Sequence, residues 1–177
     1  MELFDTIAKR HSYRGNFKDQ VIPEADLRKI VQAGICAPSG CNAQTTDFII
    51  INQLDLIQQV CRITGEKYKY ILTAQAIIAC VVEVEKPIYH GHSFEVEDCA
   101  AAVENILLAI TALGYASVWI DGALRVEQRA QQIGQLLNVP SGKVVRIILP
   151  LGVPVERRQQ KIKRPFDERA WFNGYPD

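Results

Sequence analysis

Residues 97–122 read EDCAAAVENILLAITALGYASVWIDG, and the fold turns on how they are read. Ala101, Val103, Ile106, Leu107, Ile110 and Ala112 go nearly all round a helix running from about Glu97 to Leu113. A helix apolar on most of its circumference belongs in an interior, so this one is expected to be largely buried. Gly114 follows in the C-cap role, where the backbone turns left-handed. Ala116–Ile120 then reads as a strand, and Asp121-Gly122 as the turn that ends it.

Outward from this stretch, helix and strand patterns alternate. Ile77–Val84 is rich in β-branched residues and reads as a central strand. Asp47–Ile51 reads as a buried strand and Leu54–Ile63 as a helix. Leu27, Ile30, Val31 and Gly34 form an i, i+3, i+4, i+7 stripe. Their helix starts at Pro23, with Glu24 and Asp26 well placed against the helix dipole, and stops before Ala37-Pro38-Ser39-Gly40. Leu3, Phe4, Ile7 and Ala8 make a short first helix that ends near Arg10. Downstream, Val126–Leu137 is an amphipathic helix ending at Asn138 and Pro140. Val144–Leu149 is a fourth strand closed by Pro150-Leu151-Gly152. With no repeat or linker, residues 1–177 read as one α+β domain, helices packed on a mixed sheet. The tail from Val155 differs in kind. Residues 156–164 are strongly basic and expected to be extended, and Phe166, Trp171, Phe172 and Tyr175 after them need burial. Such aromatics suggest docking on a second subunit.

At 177 residues the chain can fold on its core without disulfides or metal. Lys plus Arg equals Asp plus Glu at 20 each, so there is no global pull on nucleic acid or an anionic membrane. Hydrophobic residues at 48% argue against disorder. The five cysteines (Cys36, Cys41, Cys61, Cys80, Cys99) are odd in number with no C-x-x-C pair, which suits a reduced intracellular protein. The N-terminus MELFDTIAKRHSYRG lacks the basic and apolar regions of a signal peptide, and runs such as Ala76–Val82 are too short to span a bilayer. A cytoplasmic location is expected.

Four clusters carry possible chemistry. Arg10-His11-Ser12-Tyr13-Arg14 sets two arginines beside a serine, either an anion clamp or a solvated basic helix end. Ala37-Pro38-Ser39-Gly40-Cys41-Asn42-Ala43-Gln44 combines turn residues with amides able to read the edge of a heteroaromatic ring, or is an ordinary connection. Trp119-Ile120-Asp121-Gly122 is a strand end, a usual ligand position, where Gly allows close backbone approach; a plain turn would read the same. Lys161-Ile162-Lys163-Arg164 puts both lysines on one face of an extended chain. His90-Gly91-His92 has no further ligand at a usual zinc spacing and reads as a solvent-exposed loop, so no metal is expected. Nothing basic stands near Cys36 or Cys41, which read as buried or idle thiols.

In this order the clusters resemble the nitroreductase family over nearly the whole chain. The resemblance rests on Arg10, His11, Ser12 and Arg14; on Pro38, Ser39, Asn42 and Gln44; on Asp98, Asn105, Leu113 and Gly114; and on Leu151, Gly152, Pro154, Lys161 and Lys163. It implies a homodimer with FMN at the interface. Arg10, Ser12, Arg14, Lys161 and Lys163 would hold the phosphate and ribityl chain, with His11 and Gln44 also in the site. Asn42 would bond the flavin, with Pro38 and Ser39 coming from the partner. Ile120, Asp121 and Gly122 would run along the isoalloxazine, a backbone N–H near N5. The tail from 155 would wrap the other subunit.

The implied activity is hydride transfer from NAD(P)H, through the flavin, to a small oxidised acceptor in a ping-pong scheme. No catalytic side chain is required, because the flavin carries the chemistry. A flavin carrier or sensor with little turnover is the alternative reading. Two departures bear on the substrate: Thr45-Thr46 stand where many members have Pro-Trp, and the short chain leaves little to cover a pocket.

Overall fold

A computed structural model describes residues 2–84, 88–156 and 158–175. Strand β2 (Ala76–Glu83) lies at its centre, and its alternating side chains divide the core in two. Ile77, Ala79 and Val81 face helices α3 (Leu54–Thr64) and α5 (Arg129–Leu136), meeting Ile57, Val60 and Ile133. Ile78, Cys80 and Val82 face α2 (Glu24–Ile35) and α4 (Glu95–Ala112), meeting Leu27, Ile30, Val103 and Ile106. A continuous β-branched run is what a strand covered on both faces needs. The short helix α1 (Leu3–Lys9) lies against α4.

The sheet order is β1-β2-β4-β3, with β1 at Thr46–Ile51, β3 at Ala116–Ser117 and β4 at Lys143–Gly152. All three ladders are antiparallel; a parallel bridge from Ser12 to Ser117 supplies the mixed character. Strand β1 is not the buried strand expected at Asp47–Ile51. It is an edge strand in which Ile51 alone is fully buried, and its Asp47 pairs with Lys143 of β4.

Strand β3 is shorter than the expected Ala116–Ile120. Ser117 pairs with Leu151 and Ile120 with Ile148, so the register holds across the gap and would set Val118 opposite Pro150. Proline has no N–H to give Val118, and the Pro150 carbonyl is taken by the Ser117 hydroxyl at 2.8 Å. Strand β4 itself runs through Pro150 to Gly152 instead of closing at Leu149. Helix α5 starts at Arg129, later than Val126, because Glu127 and Gln128 are both left-handed.

Helix α4 ends as its sequence requires. Gly114 takes φ +85°, Tyr115 N–H bonds the Ile110 carbonyl at 3.0 Å and Gly114 N–H bonds Thr111 at 3.1 Å. One face of α4 is buried; Leu108 and Ala109 on another are half-buried near Leu3 and Thr6 of α1. Helices α2 and α4 touch at Gly34, where an added Cβ would lie 2.7 Å from Ile106 Cδ1. Gly34→Ala is therefore expected to destabilise by about 1–3 kcal/mol despite alanine's better helix propensity. A urea midpoint above wild type would contradict this contact.

Candidate functional site

Chain order places the sequence clusters on opposite edges of the sheet. The 38–45 loop feeds β1, while 120–122 leaves the β3 edge after Ile120 bridges Ile148. Three strand spacings separate the first and last strands, roughly 14–15 Å. The two segments line different clefts within one chain.

The loop is held from beneath. Buried Asp98, in the first turn of α4, accepts the Gly40 N–H at 2.8 Å and the Thr45 hydroxyl at 2.9 Å. The Gln44 N–H bonds Ser39 Oγ at 3.0 Å. Between these anchors Cys41, Asn42 and Gln44 all have φ above +50°, a conformation that costs energy for residues with a Cβ. The side chains of Asn42 and Gln44 are exposed, and Pro38, Ser39 and Gln44 line a cavity of about 180 Å³ beside Asp98 and Thr46. Asn105, seven residues beyond Asp98, ties α4 to the Ala33 carbonyl at 3.1 Å.

On the other edge, Arg14, Tyr68, Tyr70, Ile120, Asp121 and Gly122 line a cleft of about 270 Å³. A Cβ at Gly122 would meet nothing within 4 Å, so the backbone there is open to close approach. Asp121 does not face the cleft as a free carboxylate; Arg125 holds it through Nε at 2.8 Å and Nη2 at 2.6 Å. Arg14 is exposed and makes no ion pair among the described residues.

The Arg10–Arg14 segment runs beside β3, where the Tyr13 N–H bonds the Ser117 carbonyl at 2.8 Å. Tyr13 is fully buried and gives its hydroxyl to the Asn16 carbonyl at 2.6 Å. Ser12 is exposed, and Arg10 pairs with Glu104 of α4 at 3.4 Å. The basic tail, described apart from position 157, reaches this segment through Gln160. Its Nε2 donates to the Arg10 carbonyl at 2.6 Å and to Ile7 at 3.1 Å. Lys161 and Lys163 are exposed. The tail's aromatics pack on one another, Trp171 on Tyr175 at 4.2 Å and Phe166 near Phe172 at 6.1 Å.

Among the described residues, three buried side-chain atoms without a hydrogen-bond partner line clefts. They are Thr46 Oγ1 at the first cavity, the Tyr70 hydroxyl at the second, and His11 Nε2 at a third cleft that Lys9, Tyr115 and Gln160 also line. An unmade bond of this kind costs roughly 1–3 kcal/mol, and orphaned polar atoms concentrate where a ligand completes them. His11 Nδ1 lies 2.9 Å from the Lys9 carbonyl and must donate to it, which leaves Nε2 an acceptor in the neutral ring. Tyr70 lies outside the four sequence clusters, and its one local signal is the alternation Lys67-Tyr68-Lys69-Tyr70. Asp98 and Gln160 act across long chain separations that no local pattern encodes.

Among the described residues no group of three or more His, Cys, Asp or Glu is placed to hold a metal. His90 and His92 are exposed on a tight turn. Cys36 and Cys41 are exposed too, while Cys61, Cys80 and Cys99 are buried. No helix among the described residues is long and apolar enough to cross a membrane.

Solved structures share this α+β layout. An FMN-dependent nitroreductase from Clostridium difficile superposes with a TM-score of 0.84 at 23% identity, covering 97% of this chain and 99% of its own. The NADPH:FMN oxidoreductase from Vibrio harveyi, solved with NAD+, gives 0.84 at 22%, covering 99% and 78%. At the sequence level, the nitroreductase family model matches residues 7–84 and 68–153. A relative from Archaeoglobus fulgidus, provisionally named an NADH dehydrogenase/NAD(P)H nitroreductase, is 31% identical over 159 residues, covering 89% of this chain and 88% of its own. The chain belongs to the nitroreductase family.

Proposed function

We propose that this chain is an FMN-dependent oxidoreductase that works as a homodimer, taking electrons from NAD(P)H and passing them to a small oxidised acceptor such as a nitroaromatic or a quinone. The observation that carries the reading is the cleft where the open backbone at Gly122 stands beside Arg14 and an unsatisfied Tyr70 hydroxyl. That combination suits a flat ring with a polar edge. Bound FMN would supply a two-electron relay, so donor and acceptor can use the cleft in turn, a ping-pong scheme.

The residues present fit such a group. Arg10, Ser12, Lys161 and Lys163 would hold the phosphate and ribityl chain through charge-assisted hydrogen bonds, with His11 beside them. Glu104 is already on Arg10 and would orient it. Arg14 brings positive charge to the ring's cleft, and Ile120, Asp121 and Gly122 lend it backbone. The Arg125 pair holds Asp121 in place. The 38–44 loop cannot reach this cleft in its own chain. Pro38, Ser39, Asn42 and Gln44 would therefore close the site on a second copy.

A second copy has a surface to cover. Phe4 of α1 is 83% exposed beside exposed Leu3 and Ile7, next to the half-buried face of α4. Phe166, Phe172 and Tyr175 of the 155–177 tail are also exposed. Apolar side chains grouped in this way favour association through a two-fold interface. The five free thiols suit a reducing, cytoplasmic setting.

The test is a visible absorption spectrum of the purified protein, before and after anaerobic NADH or NADPH. Flavin bands that bleach, and return with a nitroaromatic or quinone, are expected. Bands that persist would make the chain a flavin-binding module. No flavin after soaking in FMN would sink the reading.

A further inference from the structure

The Tyr70 hydroxyl is shut off from water and has no hydrogen-bond partner among the described residues, and Tyr70 lines the same cleft as Arg14, Asp121 and Gly122. A phenol can satisfy itself as donor or acceptor. Arg14 and Lys67 on the same cleft offer only donors, and the Asp121 carboxylate is occupied by Arg125, which leaves the Tyr70 O–H available to donate. Burial pushes the Tyr70 pKa up to about 12, with the Arg14 charge pulling weakly the other way, so the proton stays on oxygen at neutral pH.

We propose that Tyr70 is a cofactor-contacting residue, its O–H donating to a nitrogen or oxygen at the polar edge of the FMN ring seated against Asp121 and Gly122. This rests on the FMN reading above and assigns the cleft a specific donor. The ring gains electron density on reduction, and a hydrogen bond to a charged acceptor is about twice as strong as one to a neutral acceptor. Tyr70 therefore binds reduced FMN more tightly than oxidised FMN and raises the potential of the bound cofactor.

The experiment compares wild type, Tyr70→Phe and Tyr115→Phe as FMN-loaded proteins. Tyr115 is a second phenol with a raised pKa, but it bonds Asp26 at 2.8 Å, away from the cleft. For Tyr70→Phe, the dissociation constant of oxidised FMN is expected to rise about threefold. The ratio of reduced to oxidised flavin at fixed ambient potential should fall about threefold, which is about 14 mV for a two-electron couple. Tyr115→Phe should leave both unchanged. Equal potentials and affinities for Tyr70→Phe and wild type would overturn the proposal, as would a change confined to the KM of the acceptor. A wild type that takes up no FMN would instead overturn the reading beneath it. Near-UV circular dichroism matching wild type checks that the variant is folded.

Discussion

Asp98→Ala is expected to lower the melting temperature by roughly 6–12 °C, since about 3 kcal/mol is lost and each kcal/mol moves a chain of this size by about 2–4 °C. The carboxylate is buried and carries two hydrogen bonds, one to the Gly40 N–H and one to the Thr45 hydroxyl. Alanine leaves both donors without their acceptor, and the three left-handed residues between the anchors lose what holds them. The loop then samples many conformations, and ordering Ser39, Asn42 and Gln44 on a ligand costs about tenfold or more in FMN affinity. Asp98→Asn should recover much of the melting temperature, because one amide oxygen still accepts from Gly40 while the Thr45 hydroxyl can turn to accept. Thermal melts and FMN fluorescence titrations read both effects. A melting temperature within about 2 °C of wild type would mean the loop is held some other way.

Ending the chain at Glu156 should separate site from fold. The truncation removes Lys161, Lys163 and the aromatic cluster but keeps the Val155 N–H bond to Asn16 and the Glu156 contact with the Tyr13 hydroxyl. The described residues among those removed are mostly exposed, with the aromatics packed on each other, so the melting temperature should move by only about 2–4 °C. FMN affinity should fall about a hundredfold or more, the expected loss of two charge-assisted phosphate contacts. Sedimentation should report a monomer. A truncated dimer that still binds FMN at wild-type strength would remove the tail from the site and from the interface.

The parts of the fold legible in the sequence are those fixed by local pattern. The all-round apolar helix, Gly114 at its end and the β-branched run of β2 each carry their own signal, and each forms close to where it was read. What was not legible depends on a distant neighbour. Asp47–Ile51 is apolar enough for a central strand, and only sheet order reveals it as an edge. Ala116–Ile120 has strand residues throughout, yet its ladder breaks because Pro150 stands opposite Val118 in register. Glu127 and Gln128 are left-handed without a glycine to announce it. The same division holds for the site: loop and basic motifs are contiguous in sequence, whereas the Asp98 anchor and the orphaned Tyr70 hydroxyl exist only once the chain is folded.

The separation of the 38–44 loop and the 120–122 turn across the sheet has a genetic consequence. On the proposed pairing, each site borrows its loop from one copy and its cleft from the other. Two defective alleles, one damaged at Asp98 and one at Gly122, would then combine in a mixed dimer to give one wholly damaged site and one wholly intact one. Cells carrying both would regain activity that neither allele supplies alone.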